Sequence, residues 1–389
     1  MTKDAPVIIG SGHTKFGRLD ARTLEDLMVE AAGEALKESG VEPKDIDAIF
    51  VGHFNSGLVT DGFPSSLVHQ MSPDFRFTPA TRFENACASG SAAVYGALSA
   101  LKAGEARTVL VVGVEKMTSR TTPEVTKALA GAGYQNDPEE AALSFPQVFA
   151  LAARSYTERY GSPLESMARI ASKNHVNALS NPLAQMQRNM DFDTCNTVTE
   201  KNPLIAPPLR LSDCSLISDG AAAIVLTTDT AVGGDRRVGF RATSHVNDFL
   251  PISGRDFIAF EGPRKAIRGA FDKAGVSVSD ISFAEVHDCF TIAELLIYEA
   301  MGLKPAGKGG EALADGTVYR DGKLPVNVSG GLKAKGHPVG ATGVSMHALA
   351  YRQLTGQAGD MQLADPKLGL VFNMGGSGVA NYASVLEAV

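Results

Sequence analysis

Cysteine is scarce in this sequence. Four cysteines stand among 389 residues, at positions 87, 195, 214 and 289, and no two are spaced as in a Cys-x-x-Cys pair. This spacing argues against a disulfide framework and gives no support for structural zinc or another bound metal. Free thiols are typical of reducing compartments, so we expect a cytoplasmic protein.

Long apolar runs and basic clusters are also missing. No uninterrupted apolar stretch reaches the roughly 18 residues that a membrane span needs, and the first residues lead into an apolar strand without a signal-peptide pattern. The last residues carry no targeting tripeptide. The net charge is −7, with no run of Lys or Arg. We therefore expect neither a membrane nor a nucleic acid among the partners.

What the chain does have is a regular alternation of strand and helix patterns. Hydrophobic residues make up 44% of the composition and charged residues 20%, which is typical of a globular protein. The strand-like and helical segments together predict a layered α/β fold. They are a strand at 7–10, a helix at 24–39 ended by Gly40, a strand at 46–52, a small-residue helix at 88–103 and a strand at 108–114.

The second half of the sequence repeats the first. Residues 31–46 align with residues 266–281, with identities that include Gly40/Gly275 and Ile46/Ile281. A glycine-rich turn, an amphipathic helix at 344–354 and an apolar strand at 368–372 then follow in the same order as in the first half. This pattern predicts a duplicated fold.

A stretch of different character separates the two repeats. Residues 117–218 contain Pro203, Pro207, Pro208 and many polar residues, and such a long loop-rich insertion is usually functional. We expect it to cover a substrate or to contact another chain. The predicted halves are then 1–116, to which 219–245 returns, and 246–389.

Three segments carry candidate chemistry. Cys87 precedes the small-residue helix, where the helix dipole would stabilise a thiolate, although a buried inert thiol is the alternative. His337 lies in a glycine-dense segment at 330–343 and could take the Cys87 proton. Cys289, in the turn His287–Phe290 after a strand, could act as a second acid or base, or could be a core thiol.

A fourth segment, Asn373–Gly378, follows the last apolar strand. Its glycines could present backbone N–H groups to an oxyanion, although an ordinary glycine-rich connection would look the same. Cys195, Cys214 and the remaining histidines lack comparable context, and we assign them no role.

Taken together, these segments resemble the thiolase family over nearly the whole chain. Gly336-His337-Pro338 is similar to its Gly-His-Pro motif, and the turn around Cys87 is similar to its nucleophile turn. Common thiolases carry a second cysteine where Asn373 stands here, and Asn-Glu-Ala-Phe in place of residues 287–290. Both departures resemble the branch of sterol-carrier-protein-linked and archaeal acetoacetyl-CoA thiolases, in which the second thiol lies in a His-Asp-Cys-Phe turn.

The resemblance implies a five-layer α/β/α/β/α sandwich and a ping-pong reaction on coenzyme A thioesters, with no permanently bound cofactor. It implies Cys87 as nucleophile, His337 as its base and Cys289 as the acid or base, with His287 near an oxyanion water. The backbone N–H groups of Cys87 and Gly375, and the His337 ring, would bind oxyanions. Ser215 would contact the pantetheine of coenzyme A. A homodimer or homotetramer, with a possible partner subunit, is also implied.

Two other functions remain open at this stage. A decarboxylating 3-oxoacyl synthase uses one cysteine and two histidines, which Cys87, His287 and His337 could imitate, and it would give Cys289 no role. A non-catalytic thiolase-like subunit that binds coenzyme A would need none of these side chains.

Overall fold

A computed structural model describes residues 5–389. The strands are β1 (Val7–His13), β2 (Ala48–Gly52), β3 (Ala80–Phe83), β4 (Thr108–Lys116), β5 (Leu204–Ala206), β6 (Leu209–Arg210), β7 (Asp219–Thr227), β8 (Val238–Asn247), β9 (Phe283–Val286), β10 (Leu368–Gly375) and β11 (Ala380–Ala388). The helices are α1 (Leu24–Ser39), α2 (Ser89–Ala103), α3 (Thr122–Ala130), α4 (Pro138–Ala141), α5 (Phe145–Tyr160), α6 (Leu164–Ala178), α7 (Phe192–Asn196), α8 (Glu261–Ala274), α9 (Thr291–Ala300), α10 (Glu311–Ala314) and α11 (Thr342–Leu354).

The predicted duplication is visible in the strand order. The large sheet runs β3-β2-β4-β7-β1-β8-β11-β10-β9, so that the two halves mirror each other outward from the β1–β8 junction. That junction is short, since Val7 and Ile8 alone pair with β8. Helices α1 and α8 occupy equivalent places and both end at a glycine in the left-handed conformation, Gly40 and Gly275. The repeated sequence therefore folds twice into the same strand–helix–strand unit.

Two central helices join the halves. Helix α2 packs on β2 and β4, whereas α11 contacts strands of both halves, including β7 and β10, and also contacts α2. Helices α1 and α8 pack against β1 and β8 of their own halves. The order is thus helix, half-sheet, central helices, half-sheet, helix. Helix α11 is buried almost throughout rather than amphipathic, because sheets cover it on both sides.

The domain boundaries differ in part from those predicted. Strand β7 lies between β4 and β1 of the N-terminal half, but β8 pairs with β11 along its whole length. Residues 238–245, predicted to return to the N-terminal half, thus pair mainly with the C-terminal half and meet β1 only through Val238 and Gly239. The insertion at 117–218 is also less irregular than expected, since α5 and α6 are each about four turns long.

Among the described residues, no helix combines the length and the apolar character that crossing a membrane would require.

The central helices approach each other through glycine. A Cβ added at Gly90, in α2, would lie 2.8 Å from Gly340 O and 2.8 Å from Val344 N. These are backbone atoms of the segment that carries His337, and they cannot move away as a flexible side chain could. Gly90 therefore sets the separation of the two halves.

We expect Gly90→Ala to lower the free energy of unfolding by about 1–3 kcal/mol, the usual cost of overpacking a core. Urea unfolding monitored by circular dichroism measures this change. Gly62→Ala is the matched control, because nothing lies within 4 Å of the added Cβ at Gly62. Equal stability of the two variants would contradict the close contact.

Candidate active site

Cys87 lies in a constrained turn that precedes α2. The residue before it, Ala86, has a φ of 51°, which is unusual for a residue with a side chain. Ser89 holds this turn closed: its Oγ accepts from the Asn85 N–H at 2.9 Å and donates to Ala86 O at 2.6 Å. The strain is thus balanced by local hydrogen bonds, as is common where a reactive side chain must be presented.

Two histidines of the C-terminal half converge on Cys87. The Cys87 sulfur and one ring nitrogen each from His287 and His337 lie within 4.8 Å of one another. The two rings meet edge to face, with centroids 5.1 Å apart. His287 comes from the turn after β9, and His337 from the loop before α11. The structure therefore brings together side chains that the sequence analysis had selected from both halves.

The hydrogen bonds of His337 define its tautomer. Thr342 Oγ1 donates to Pro338 O at 3.1 Å, so its oxygen accepts from His337 Nδ1 at 2.7 Å. A neutral imidazole carries one proton, which leaves a lone pair on Nε2. That nitrogen is buried and has no hydrogen-bond partner among the described residues. His337 is thus oriented as a proton acceptor.

Ser218 fixes the backbone of the same histidine. The His337 N–H donates to Ser218 Oγ at 2.9 Å, and that hydroxyl donates in turn to Gln185 Oε1 at 2.5 Å. The sequence analysis missed Ser218 and Thr342, since neither stands in a recognisable pattern with His337.

Burial dominates the electrostatics of the cluster. Burial, reinforced by Lys335, lowers the pKa of His337 to about 3. Burial and the neighbouring His337 lower the pKa of His287 as well. Burial also raises the pKa of the Cys87 thiol to about 12, against a smaller stabilisation of the thiolate by the Gly376 N–H. The resting pair is therefore a neutral thiol and a neutral imidazole.

This charge state differs from the thiolate expected at a helix N-terminus. The loss of hydration exceeds the favourable backbone contacts, and the carboxylates of Glu115 and Glu84 oppose a further negative charge. Helix α2 also starts at Ser89, two residues beyond Cys87, so the sulfur is not held at the first helical N–H groups.

Glu115 links the site to the strand beneath it. Its buried carboxylate accepts from the backbone N–H groups of Phe54, Asn55 and Gly340 at 2.9, 3.0 and 3.0 Å. Gly340 belongs to the His337 loop, so this acid ties that loop to the end of β4. In the sequence, Glu115 is a single charged residue at the end of an apolar strand, so its role was not predicted.

Cys289 lies beside this cluster, two residues after His287. Its side chain is buried, and burial together with the nearby Cys87 raises its pKa. An ionised Cys87 therefore disfavours a second negative charge on Cys289. The Cys289 sulfur lies outside the group formed by Cys87, His287 and His337.

The structure shows where the residues predicted to contact the oxyanion and coenzyme A lie. The backbone N–H groups that lower the pKa of the Cys87 thiol are those of Gly376, next to the predicted Gly375, and of Cys87 itself. Gly375 itself packs against the nucleophile turn, where an added Cβ would lie 2.3 Å from Asn85 O. The Ser215 N–H donates to Cys289 O at 2.9 Å. The roles of Gly375 and Ser215 stay predictions.

A thiol and two imidazoles at this spacing could also bind a soft metal ion. No acidic side chain among residues 5–389 joins the group, so such an ion would have three protein ligands.

Comparison with known proteins identifies the family. The thiolase N-terminal domain matches residues 6–230, and the thiolase C-terminal domain-like family matches residues 245–388. The chain belongs to the thiolase family. This thiolase is 38% identical to the acetyl-CoA acetyltransferase of Methanothermobacter thermautotrophicus over 95% of its own length and 96% of that protein. It is 32% identical to human sterol carrier protein 2, over 95% of this chain and 69% of the human protein.

Solved structures show the same fold. The human mitochondrial 3-ketoacyl-CoA thiolase in complex with CoA superposes with a TM-score of 0.76 at 19% identity, over 100% of this thiolase and 99% of that chain. An Ltp2–ChsH2(DUF35) aldolase gives 0.77 at 24% identity, over 99% and 98%. The predictions of a thiolase fold and of a thiolase-type acyltransferase are confirmed.

The resting protonation state of Cys87 can be measured. Because alkylation requires the thiolate, a thiol with a pKa of about 12 should react with iodoacetamide about tenfold faster for each unit of pH between 6 and 9. Peptide mass spectrometry of the Cys87 segment measures the rate. A synthetic peptide of residues 82–92 is the control and should level off near the ordinary cysteine pKa of about 8.5. A plateau in the folded protein below pH 8 would contradict a neutral resting thiol.

Proposed function

We propose that this thiolase transfers acyl groups between coenzyme A and the α-carbon of acetyl-CoA through a thioester on Cys87. The observation that carries the proposal is the convergence of the Cys87 sulfur with two imidazoles from the other half. The relatives named as acetyl-CoA acetyltransferases support acyl-CoA and CoA as the substrates.

In the cleavage direction, His337 starts the reaction. Its Nε2 lone pair takes the thiol proton as the Cys87 sulfur attacks the 3-oxo carbon of the substrate. The two groups are neutral at rest, so charge separation develops only as the new carbon–sulfur bond forms, which suits a buried site. Backbone N–H groups of Cys87 and of the turn at Gly375 and Gly376 are the donors for the oxyanion.

The carbon–carbon bond then breaks and leaves a carbanion on the α-carbon of acetyl-CoA. Its negative charge spreads onto the thioester oxygen, which the protonated His337 ring and His287 face. Cys289 supplies the proton to that carbon. Its raised pKa keeps the thiol form at rest, which is the form a proton donor needs. Coenzyme A finally attacks the acyl-Cys87 thioester and gives its thiol proton to the Cys289 thiolate. The released Cys87 thiolate recovers its proton from His337, and synthesis is the same sequence in reverse.

The spatial arrangement also favours one second candidate. One cysteine and two histidines within 4.8 Å are the set that a decarboxylating synthase would use. Malonyl and acetyl thioesters separate the two functions. A thiolase condenses acetyl-CoA and needs Cys289, whereas a decarboxylating enzyme requires the malonyl group and tolerates Cys289→Ala.

Self-association is supported by an open sheet edge. Strand β3 ends the large sheet, with β2 as its one partner in the described chain. Phe77, close to β3, is 85% exposed. An uncovered edge beside an exposed aromatic ring favours pairing with a second copy. A partner subunit is suggested by the Ltp2–ChsH2(DUF35) aldolase, in which a chain of the same fold is combined by name with a DUF35 protein.

Two variants test the division of roles. We expect Cys87→Ala to abolish the acyl adduct seen by intact mass after incubation with acetoacetyl-CoA, because no nucleophile remains. We expect Cys289→Ala to keep the adduct formed from acetyl-CoA but to lose exchange of the acetyl α-protons with deuterated water. Cys195→Ala, another buried thiol, is the control and should change neither readout. An adduct in Cys87→Ala, or full exchange in Cys289→Ala, would overturn the proposal.

His337→Asn should slow formation of the adduct by about 10²–10⁴-fold, the usual effect of a positioned general base. Rapid-quench measurement of adduct formation at saturating acetoacetyl-CoA provides the rate. Since the His337 pKa is about 3, the wild-type rate should not fall through protonation of this imidazole as pH is lowered from 8 to 5.5. An acid limb near pH 6.5 would mean that this imidazole titrates as if exposed.

A further inference from the structure

Asn373 connects the two halves of the site. It lies in β10, fully buried, and its side chain makes three contacts. Nδ2 approaches His287 Nδ1 at 2.8 Å and donates to Cys87 O at 3.3 Å, while Oδ1 accepts from Ser91 Oγ at 2.8 Å. A backbone carbonyl can only accept, so the contact with Cys87 O fixes which end of the amide is NH₂.

We propose that Asn373 sets the tautomer of His287 so that its Nε2–H is presented to the thioester oxygen of the substrate. The amide NH₂ donates, so His287 Nδ1 must accept and the ring proton must reside on Nε2. Asn373 is thus a positioning residue, which acts through His287. This inference rests on the proposed function.

The free end of His287 supports this orientation. Its Nε2 is buried and has no hydrogen-bond partner among the described residues, although a buried N–H normally has one. A substrate oxygen would satisfy it. Because one ring nitrogen of His287 belongs to the cluster around the Cys87 sulfur, and Asn373 already contacts Nδ1, the missing acceptor of Nε2 belongs at the reacting centre.

The two histidines then have opposite tautomers. Thr342 leaves a lone pair on His337 Nε2, whereas Asn373 leaves a proton on His287 Nε2. A base and a hydrogen-bond donor therefore stand side by side, with ring centroids 5.1 Å apart. The difference comes from the residue at each Nδ1, not from the histidines themselves.

Few other groups can change the charge of His287. Cys87 and His337 face it from the other elements, and the Glu115 carboxylate raises the pKa of Cys87. Asp288 and Cys289 lie on its own turn. The Asp288 carboxylate is occupied by the N–H groups of Leu332 and Lys333, at 2.6 and 3.1 Å, so it does not compete for Nδ1.

Asn373→Asp and Asn373→Leu separate tautomer control from structural support. The introduced carboxylate accepts from Nδ1–H and reverses the tautomer, so a lone pair would face the oxyanion. We expect kcat/KM for thiolysis of acetoacetyl-CoA to fall about 10²–10³-fold at pH 8, as when one oxyanion donor is lost. Leucine has a similar shape but imposes no tautomer, and its loss of kcat/KM should be less than tenfold.

The pH dependence provides the signature. As pH falls, the carboxylate–imidazole pair of Asn373→Asp takes up a proton. Whether the proton goes to the carboxylate or to the imidazole, His287 then carries a proton on Nε2. The ratio of its kcat/KM to that of the wild type should therefore rise from pH 8 to pH 6. The corresponding ratio for Asn373→Leu should stay constant. The proposal would be overturned if Asn373→Leu lowered kcat/KM more than Asn373→Asp did, or if the ratio of kcat/KM for Asn373→Asp to that of the wild type did not change with pH.

Nitrogen NMR of protein with ¹⁵N-labelled histidine tests the tautomer without any reaction. We expect His287 to be protonated on Nε2 in the wild type and on Nδ1 in Asn373→Asp. An Nδ1–H signal in the wild type would refute tautomer control. This readout is independent of the proposed function, which fails separately if Cys87 forms no acyl adduct.

Discussion

The site depends on the close approach of two central helices that come from different repeats. Glycines allow it: an added Cβ at Gly90 of α2 would lie 2.8 Å from Gly340 O, and one at Gly113 of strand β4 would lie 2.8 Å from the same oxygen. Because α2 follows Cys87 and α11 follows His337, the separation of these helices governs the distance between nucleophile and base. Larger residues at these positions would separate the halves, and with them the reacting groups.

The same packing gives the site its electrostatic character. Groups enclosed between two half-sheets lose their hydration, so the neutral forms of Cys87, His287 and His337 are favoured. In a neutral imidazole, the tautomer determines which ring nitrogen donates a hydrogen bond and which one accepts a proton. The residues that contact each Nδ1 atom therefore decide which histidine accepts a proton and which one donates a hydrogen bond.

Much of the fold was predictable from local patterns. The helix at 24–39 and its glycine cap were confirmed, as were the order of the repeated elements and the buried small-residue helix. The pairing of β8 with the C-terminal half was not predicted, because the pairing partner of a strand is not encoded in its own periodicity. The long helices of the insertion were underestimated, since their polar residues and flanking prolines resemble those of loops.

The sequence by itself determined the family, the two repeats, and the candidate residues Cys87, His337, His287 and Cys289, because these stand in short segments whose composition is unusual. Their catalytic roles remain predictions. The tertiary structure alone decided that Thr342, Ser218 and Asn373 orient them, and that burial keeps the thiol and the imidazoles neutral. The physical reason is distance along the chain: Asn373 meets Cys87 across 286 positions. A contact of that kind follows from how two half-sheets enclose two helices, and it leaves no local pattern.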